Sequence, residues 1–189
     1  IHGQYNGEVR TDSEFLYIGD QAIRWFQEKD IEKLDWKAHD IDIVIECTGI
    51  FRTKTLAQKH IASGAKRVLL SAPPKDQEIP TVVLGINEDI ISTEDTIISN
   101  ASCTTNNAAP LVKVLDDAFE IESAYITTVH SYTSDQKLQD APHKDLRRAR
   151  AAAESIVPTT TGAAKAITKI FPHLDGKMGG AGIRVPVPH

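Results

Sequence analysis

The sequence is poor in cysteine, in long apolar runs and in clustered positive charge. Only Cys47 and Cys103 occur among its 189 residues. Two thiols make neither a disulfide framework nor a four-cysteine zinc site, and no His, Cys or carboxylate spacing matches a metal site. No apolar stretch reaches the roughly 20 residues of a membrane-spanning helix, and no signal-peptide pattern opens the sequence. A reducing, cytoplasmic setting is therefore expected, with no membrane partner. The net charge is −5. The densest basic run, His143-Lys144-Asp145-Leu146-Arg147-Arg148-Ala149-Arg150, is short and interrupted by an acid. It reads as a solvated helix face or a salt-bridge cluster, not as a nucleic-acid footprint. The G-x-G-x-x-G fingerprint of dinucleotide-binding turns is also missing.

What is present is an ordinary globular composition, 41% hydrophobic and 25% charged, long enough to bury a core. Residues 14–18 and 22–27 are rich in strand formers and flank Gly19-Asp20, which predicts a hairpin. Ile41 to Cys47 reads as a largely buried strand running into Thr48-Gly49. Thr53 is placed to cap a helix from Lys54 to Ser63, stopped by Gly64. Short strands are expected at 68–70, 81–84 and 96–99. Strands alternating with a helix point to an α/β fold with a mostly parallel sheet. In such sheets ligands sit beyond the carboxyl ends of the strands. Thr48-Gly49, Ser71-Ala72 and Ser102-Cys103-Thr104 are thereby expected on one rim.

The pattern changes near residue 101, where a domain boundary is expected. A helix over 104–120 would bury the stripe Leu111, Val114, Leu115 and Ala118, with Pro110 delaying or bending it. A strand follows to His130, then a polar loop, a Lys/Arg helix, and a helix from Ala163 to Ile170. Residues 183–189 read as a strand just beginning. The chain is expected to be cut at both ends.

Ser99-Asn100-Ala101-Ser102-Cys103-Thr104-Thr105-Asn106 places a thiol among small polar residues at a strand-to-helix junction. A thiolate is the reactive form, and an ordinary thiol, with a pKa of about 8.5, is mostly protonated at neutral pH. A helix N-terminus and a nearby imidazole both favour the thiolate, and His130, at a strand end, is placed to supply the imidazole. The competing reading is a buried, inert cysteine. Cys47, ending an apolar run, is expected to pack. His60 and His143 are expected in solvent, and His2, His173 and His189 show no partner pattern. Ser102, Thr104 and Thr159-Thr160-Thr161-Gly162 precede helices, where free N–H groups and hydroxyls make anion sites or plain caps. Arg184, in an apolar strand, needs a carboxylate or a ligand phosphate.

These segments, in this order, resemble phosphorylating glyceraldehyde-3-phosphate dehydrogenases. The resemblance rests on residues 99–106, Thr127-Thr128-Val129-His130-Ser131-Tyr132-Thr133, 145–153, 158–166 and Arg184-Val185-Pro186. It extends to His2-Gly3 before Gly7-Glu8-Val9, to Glu46-Cys47-Thr48-Gly49-Ile50-Phe51, and to 64–68 before Ser71-Ala72-Pro73. It implies a partial Rossmann-type NAD-binding domain over 1–101, followed by the first part of an α+β catalytic domain over 102–189. It implies Cys103 as nucleophile, forming a thioester, and His130 as its acid–base partner. Thr133 and Arg184, with Arg148 beside them, would hold the substrate's phosphate. Ser102, Thr104, Thr161 and Gly162 would hold the attacking inorganic phosphate. Thr48 and Ser71 would line the cleft for NAD, with NADP not excluded. The loop from 133 to 150 implies a homotetramer. Asn107 stands where many members have a second cysteine. With the glycine-rich turn outside these residues, this stretch alone is expected to bind NAD weakly and turn over little. Erythrose-4-phosphate dehydrogenase shares the thiol and the histidine, a cysteine hydrolase would use the same pair without Arg184, and a catalytically incompetent fragment would keep the residues without the activity. If Cys103 is the activated thiol, competition labelling with iodoacetamide will modify it ahead of Cys47 at neutral pH; equal rates would remove its special status.

Overall fold

The computed structural model describes residues 3–188; Ile1, His2 and His189 lie outside them. Its strands form three small sheets, and the functional residues gather where the ends of the second and third meet.

The first sheet is antiparallel. β1 (Val9–Thr11) pairs with β2 (Phe15–Ile18), and β2 pairs with β3 (Gln21–Arg24) through the register Ile18↔Gln21. The expected hairpin is therefore present, turning at Gly19-Asp20, with β1 as an added strand that the sequence pattern did not disclose.

The second sheet is parallel, in the order β4 (Ile43–Glu46), β5 (Arg67–Leu70), β6 (Ile97–Ser99). α1 (Lys54–Ala62) joins the first two of these strands. Thr53 caps it by accepting the Leu56 N–H, as its sequence predicts. Ala57 of α1 packs on Val68, Leu70, Ile79 and Ile97 to form the core here. β4 is not the buried strand expected: Ile43 and Ile45 are 58% and 61% exposed, and Glu46 is the buried residue. Its acid is tolerated because it is hydrogen-bonded. Glu46 Oε2 lies 3.2 Å from His60 Nε2, and Trp36 Nε1 donates to His60 Nδ1 at 3.2 Å. With Nδ1 accepting, the His60 proton sits on Nε2 and points at the carboxylate. His60, expected in solvent, is thus buried. Residues 81–84 form no strand; only Thr81 bridges to Ser99.

α2 (Cys103–Phe119) crosses to the third sheet, in the order β7 (Ala124–Ser131), β9 (Met178–Val185), β8 (Val157–Thr159). β7 runs parallel to β9, and β8 antiparallel to it. α3 (Ala163–Ile170) packs against α2. Pro110 lies inside α2 without delaying its start. The buried face of α2 is Thr105, Ala108, Ala109 and Val112, while Leu111, Val114 and Leu115 are more than half exposed. The expected stripe is therefore the wrong one. Small residues face the core because α3 brings Ala163, Ala164 and Ile167 close against that side. A third cluster, Val83, Ala101 and Ala109, crosses residue 101.

β9 is eight residues long and ends at Val185, so 183–185 finish a strand and do not begin one. Three glycines within it concealed its length. The Lys/Arg segment is only a short 3-10 turn at Leu146–Ala149, not a helix.

Burial sets the energetic contrast. Leu70 is fully buried, so Leu70→Ala will cost about 2–5 kcal/mol in urea denaturation. Leu111→Ala will stay within about 0.5 kcal/mol, despite its place in the expected stripe.

Candidate active site

Cys103 is placed by a bend between β6 and α2. Ser99 Oγ donates to the Ala72 carbonyl at 2.9 Å and accepts the Ala101 N–H at 3.1 Å. Ala101, buried, takes φ +56°, a left-handed conformation costing a non-glycine residue about 1–2 kcal/mol. The bend is clamped by Asn106, whose Nδ2 donates to the carbonyls of Asn100 (2.7 Å) and Ser102 (3.0 Å). Ser102 is the N-cap, accepting the Thr105 N–H. Cys103 is then the first residue of a seventeen-residue helix and is exposed. Its N–H has no acceptor within the helix, and the positive end of the helix dipole favours negative charge at Sγ.

β7 delivers His130 to the same point. Cys103 Sγ lies 3.4 Å from His130 Nε2. The parallel register sets Arg184 of β9 directly beside His130. Arg184 Nη1 is 2.7 Å from His130 Nδ1 and donates to the Ser131 carbonyl at 3.0 Å. Arg184 makes no salt bridge among the described residues. Burial and the facing charge of Arg148 push its guanidinium below its ordinary value, while Asp135 and Cys103 act the other way.

The third wall comes from β8 and α3. A Cβ on Gly180 would meet Thr161 Cγ2 at 3.1 Å and the Ile126 carbonyl at 3.2 Å; one on Gly182 would meet Thr159 Cγ2 and the Thr160 carbonyl at 3.2 Å. These two glycines let residues 159–162 lie directly over β9, which carries the N-terminus of α3 to the thiol. Arg148 is held at this wall by Asp135 (Nη1 to Oδ2, 2.5 Å) and by Thr159 (Nε to Oγ1, 2.9 Å). His143 Nε2 stands 3.6 Å from the same carboxylate. Burial pushes the Asp135 carboxyl up, but the hydrogen bond and charge of Arg148, with His143 adding to them, outweigh it and leave it below its usual value.

One cavity of about 260 Å³ collects Cys103, His130, Ser102, Thr104, Thr161, Gly162, Arg148 and Arg184. Pro73, two residues beyond Ser71, also lines it. Thr133, in the loop after β7, is not among its lining residues. Thr48 and Ser71 are not either; they stand together at neighbouring strand ends, where the Ser71 N–H donates to the Glu46 carbonyl at 3.0 Å. Glu46 in turn accepts the Thr48 N–H at 2.7 Å and the Thr48 hydroxyl. Cys47 does not pack; it is exposed. His143 is only 14% exposed in its side chain, against the solvated position expected. His173 pairs with Asp116 at 2.5 Å, a contact its sequence position did not announce. Asp135, Asn106 and Ala101 were missed. The sole sequence signal for Asp135 was an acid ahead of a basic run; nothing local marks the other two.

The cavity offers a nucleophile with a histidine, and two cationic groups beside hydroxyls and two helix N-termini. Residues 102–189 match the family model described as "Glyceraldehyde 3-phosphate dehydrogenase, C-terminal domain", and residues 1–54 match "Glyceraldehyde 3-phosphate dehydrogenase, NAD binding domain". Glyceraldehyde-3-phosphate dehydrogenase 2 of Bacillus subtilis is 54% identical over the whole chain, and the protein of that name from Streptomyces avermitilis 52%. Glyceraldehyde-3-phosphate dehydrogenase A, chloroplastic, of Scenedesmus vacuolatus is 50% identical over 99% of the chain. The chain spans 56%, 56% and 60% of the lengths of these relatives, little more than half.

The Asp135–Arg148 pair has a pH signature. A depressed folded pKa contributes stability that is present above the unfolded carboxylate value, about 3.9, and is lost as pH falls through the folded value. Asp135→Asn will be less stable than wild type at neutral pH, and the gap will narrow as pH falls below the ordinary carboxylate value and through the lowered folded one. Denaturation midpoints at neutral and acid pH measure this, and a gap that does not narrow in acid counts against the pair.

Proposed function

The chain belongs to the glyceraldehyde-3-phosphate dehydrogenase family, and from that premise we propose that its protein oxidises D-glyceraldehyde 3-phosphate with NAD and inorganic phosphate to 1,3-bisphosphoglycerate. The observation carrying this reading is the 3.4 Å Cys103–His130 contact inside a cavity also lined by Arg184, Arg148 and the Thr161-Gly162 turn.

Cys103 Sγ attacks the aldehyde carbon, and the carbonyl electron pair moves to oxygen. The Cys103 N–H at the start of α2 is placed to stabilise that oxyanion, and His130 takes the thiol proton and returns it to the oxygen. NAD, when bound, supplies the acceptor for the hydride that leaves the carbon. As the hydride leaves, the hydroxyl gives its proton back to His130, the carbonyl re-forms, and Cys103 carries a thioester. Phosphate held by Ser102, Thr104, Thr161 and the N-terminus of α3 then attacks, and the Cys103 thiolate leaves. Prepositioned phosphate outcompetes water for the thioester, which preserves the oxidation energy as an acyl phosphate.

The residues present fit the cofactor. Thr48 and Ser71 stand side by side beyond parallel strands, the position where such sheets receive ligands, and the segment after Ser71 leads through Pro73 into the thiol cavity. They would hold the nicotinamide half. The names of relatives at about half identity favour glyceraldehyde over erythrose 4-phosphate. Arg184 argues against a cysteine hydrolase, which would not need a cation at that point. A homotetramer, a domain boundary at residue 101 and Thr133 as a second ligand for the substrate's phosphate belong to the same proposal.

The test is NAD reduction by the protein with glyceraldehyde 3-phosphate, with and without phosphate. Cys103→Ala will abolish it, and His130→Asn will lower kcat by about 10²–10⁴-fold. Reduction that proceeds undiminished in Cys103→Ala would overturn the mechanism.

A further inference from the structure

Thr48 and Ser71 both hang on Glu46. The Glu46 carbonyl accepts the Ser71 N–H, and its Oε1 accepts the Thr48 N–H and the Thr48 hydroxyl. A carboxylate only accepts, so Thr48 spends its hydroxyl hydrogen there. Thr48 Oγ1 keeps two lone pairs, and one of them takes the Ile50 N–H at 3.1 Å. Gly49, at φ +72°, lets the chain turn back for that bond. Among the described residues the second lone pair has no partner, and Thr48 is exposed. Thr48 is thereby fixed as an acceptor.

Glu46 is held in turn from the far side. It is 4% exposed, and a carboxylate so buried needs donors on both oxygens. Oε2 receives the His60 Nε2 hydrogen across 3.2 Å. Trp36 settles the direction of that bond, because an indole N–H only donates and this one donates to His60 Nδ1 at 3.2 Å. Among the described residues no other hydrogen bond reaches the ring nitrogens, so no group opposes this tautomer. The His60 ring also stands edge-on to Phe51, with centroids 6.0 Å apart. α1 therefore grips the turn after β4 from both ends, at the carboxylate before Thr48 and at the aromatic ring beyond it.

We propose that His60 is a positioning residue for the cofactor: through Glu46 it sets the Thr48 hydroxyl as an acceptor for a donor group of the dinucleotide, of the kind a ribose hydroxyl presents. The inference rests on the reading of Thr48 as a residue of the NAD cleft. Without a donor at Oε2 the Glu46 carboxylate gains by turning to water, and Thr48 regains its hydrogen. A hydroxyl free to rotate offers a hydrogen as readily as a lone pair, and the match to the cofactor is lost. His60, Glu46 and Trp36 do not line the thiol cavity, so the reactivity of Cys103 is independent of them.

Calorimetric titration of the protein with NAD tests this, with the iodoacetamide rate of Cys103 measured beside it in the absence of cofactor. His60→Leu removes the donor, and His60→Gln keeps an N–H for Glu46. His60→Leu will raise the NAD dissociation constant about 5-fold, the effect of one net hydrogen bond, and His60→Gln will recover most of that loss. The Cys103 rate will be unchanged in both. Thr48→Val removes the acceptor itself and will weaken NAD to a similar degree, and adding His60→Leu to it will cost nothing further. Unchanged affinity in His60→Leu overturns the proposal. So do additive losses in the double variant, or a Cys103 rate that falls together with NAD affinity, the mark of general disruption. If His60→Leu does not fold, Glu46→Gln takes its place with the same outcomes. Its amide carbonyl serves His60, and its NH2 group faces the Thr48 hydroxyl, which then accepts and turns its own hydrogen outward. Wild-type protein that binds no NAD overturns the cofactor reading and this inference with it. NAD binding indifferent to His60 overturns this inference alone.

Discussion

The site depends on the parallel pairing of β7 with β9. The register that sets Ile126 against Gly180 and Thr128 against Gly182 also sets His130 against Arg184. A slip of one residue would send every side chain of one strand to the opposite face. Such a slip of β9 would take Arg184 from His130. The same slip would move the glycines from beneath Thr159, Thr160 and Thr161 and put side chains there. The pairing of His130 with Arg184 and the close approach of residues 159–161 are therefore one constraint, expressed twice along one strand.

Around that strand, two helices are aimed rather than merely packed. α2 starts at Cys103 because Ser102 caps it and Ala101 accepts a left-handed backbone to turn the chain out of β6. α3 starts at Ala163, beyond Gly162, because β9 offers no side chains to hold it off. Both positive ends open into the cavity that holds the thiol. Strain in Ala101 is offset by its burial against Val83 and Ala109, which also ties the parallel sheet to the helices. Local strain at a site held by surrounding packing is how a nucleophile is fixed where its own sequence would not leave it.

Much of the site was legible in the sequence because it is built from residues that advertise chemistry. A cysteine before a helix, a histidine ending a β-branched run and a threonine-glycine turn before a second helix all fell into one cavity. What was illegible has a common cause: environment supplied by distant residues. The α2 stripe was misjudged because Leu and Val carry more hydropathy than Ala, while the packing opportunity was a close helix–helix contact that only small residues can use. β9 was hidden because its glycines lower strand propensity, yet those glycines are what the neighbouring turn requires. His60 looked like a helix-surface polar residue, but Trp36 and Glu46, 24 and 14 residues away, satisfy both its ring nitrogens. Cys47 ended an apolar run, but the face of β4 it follows is not covered.

The electrostatics of the cavity run against the molecule as a whole. The chain carries a net charge of −5, and exposed cations such as Arg24, Lys54 and Lys66 pair with acids on the surface, where such pairs contribute little. Arg184 is different. It is partly buried, faces Arg148, and spends its hydrogen bonds on a ring nitrogen and a carbonyl. A desolvated cation with no salt bridge among the described residues costs stability, and folding tolerates it only if the surroundings over-determine its place. The β7–β9 register supplies that. An anion beside the guanidinium would offset that cost. The same arginine gives the cavity a preference for anions: a neutral group offers its guanidinium no charge to pair with.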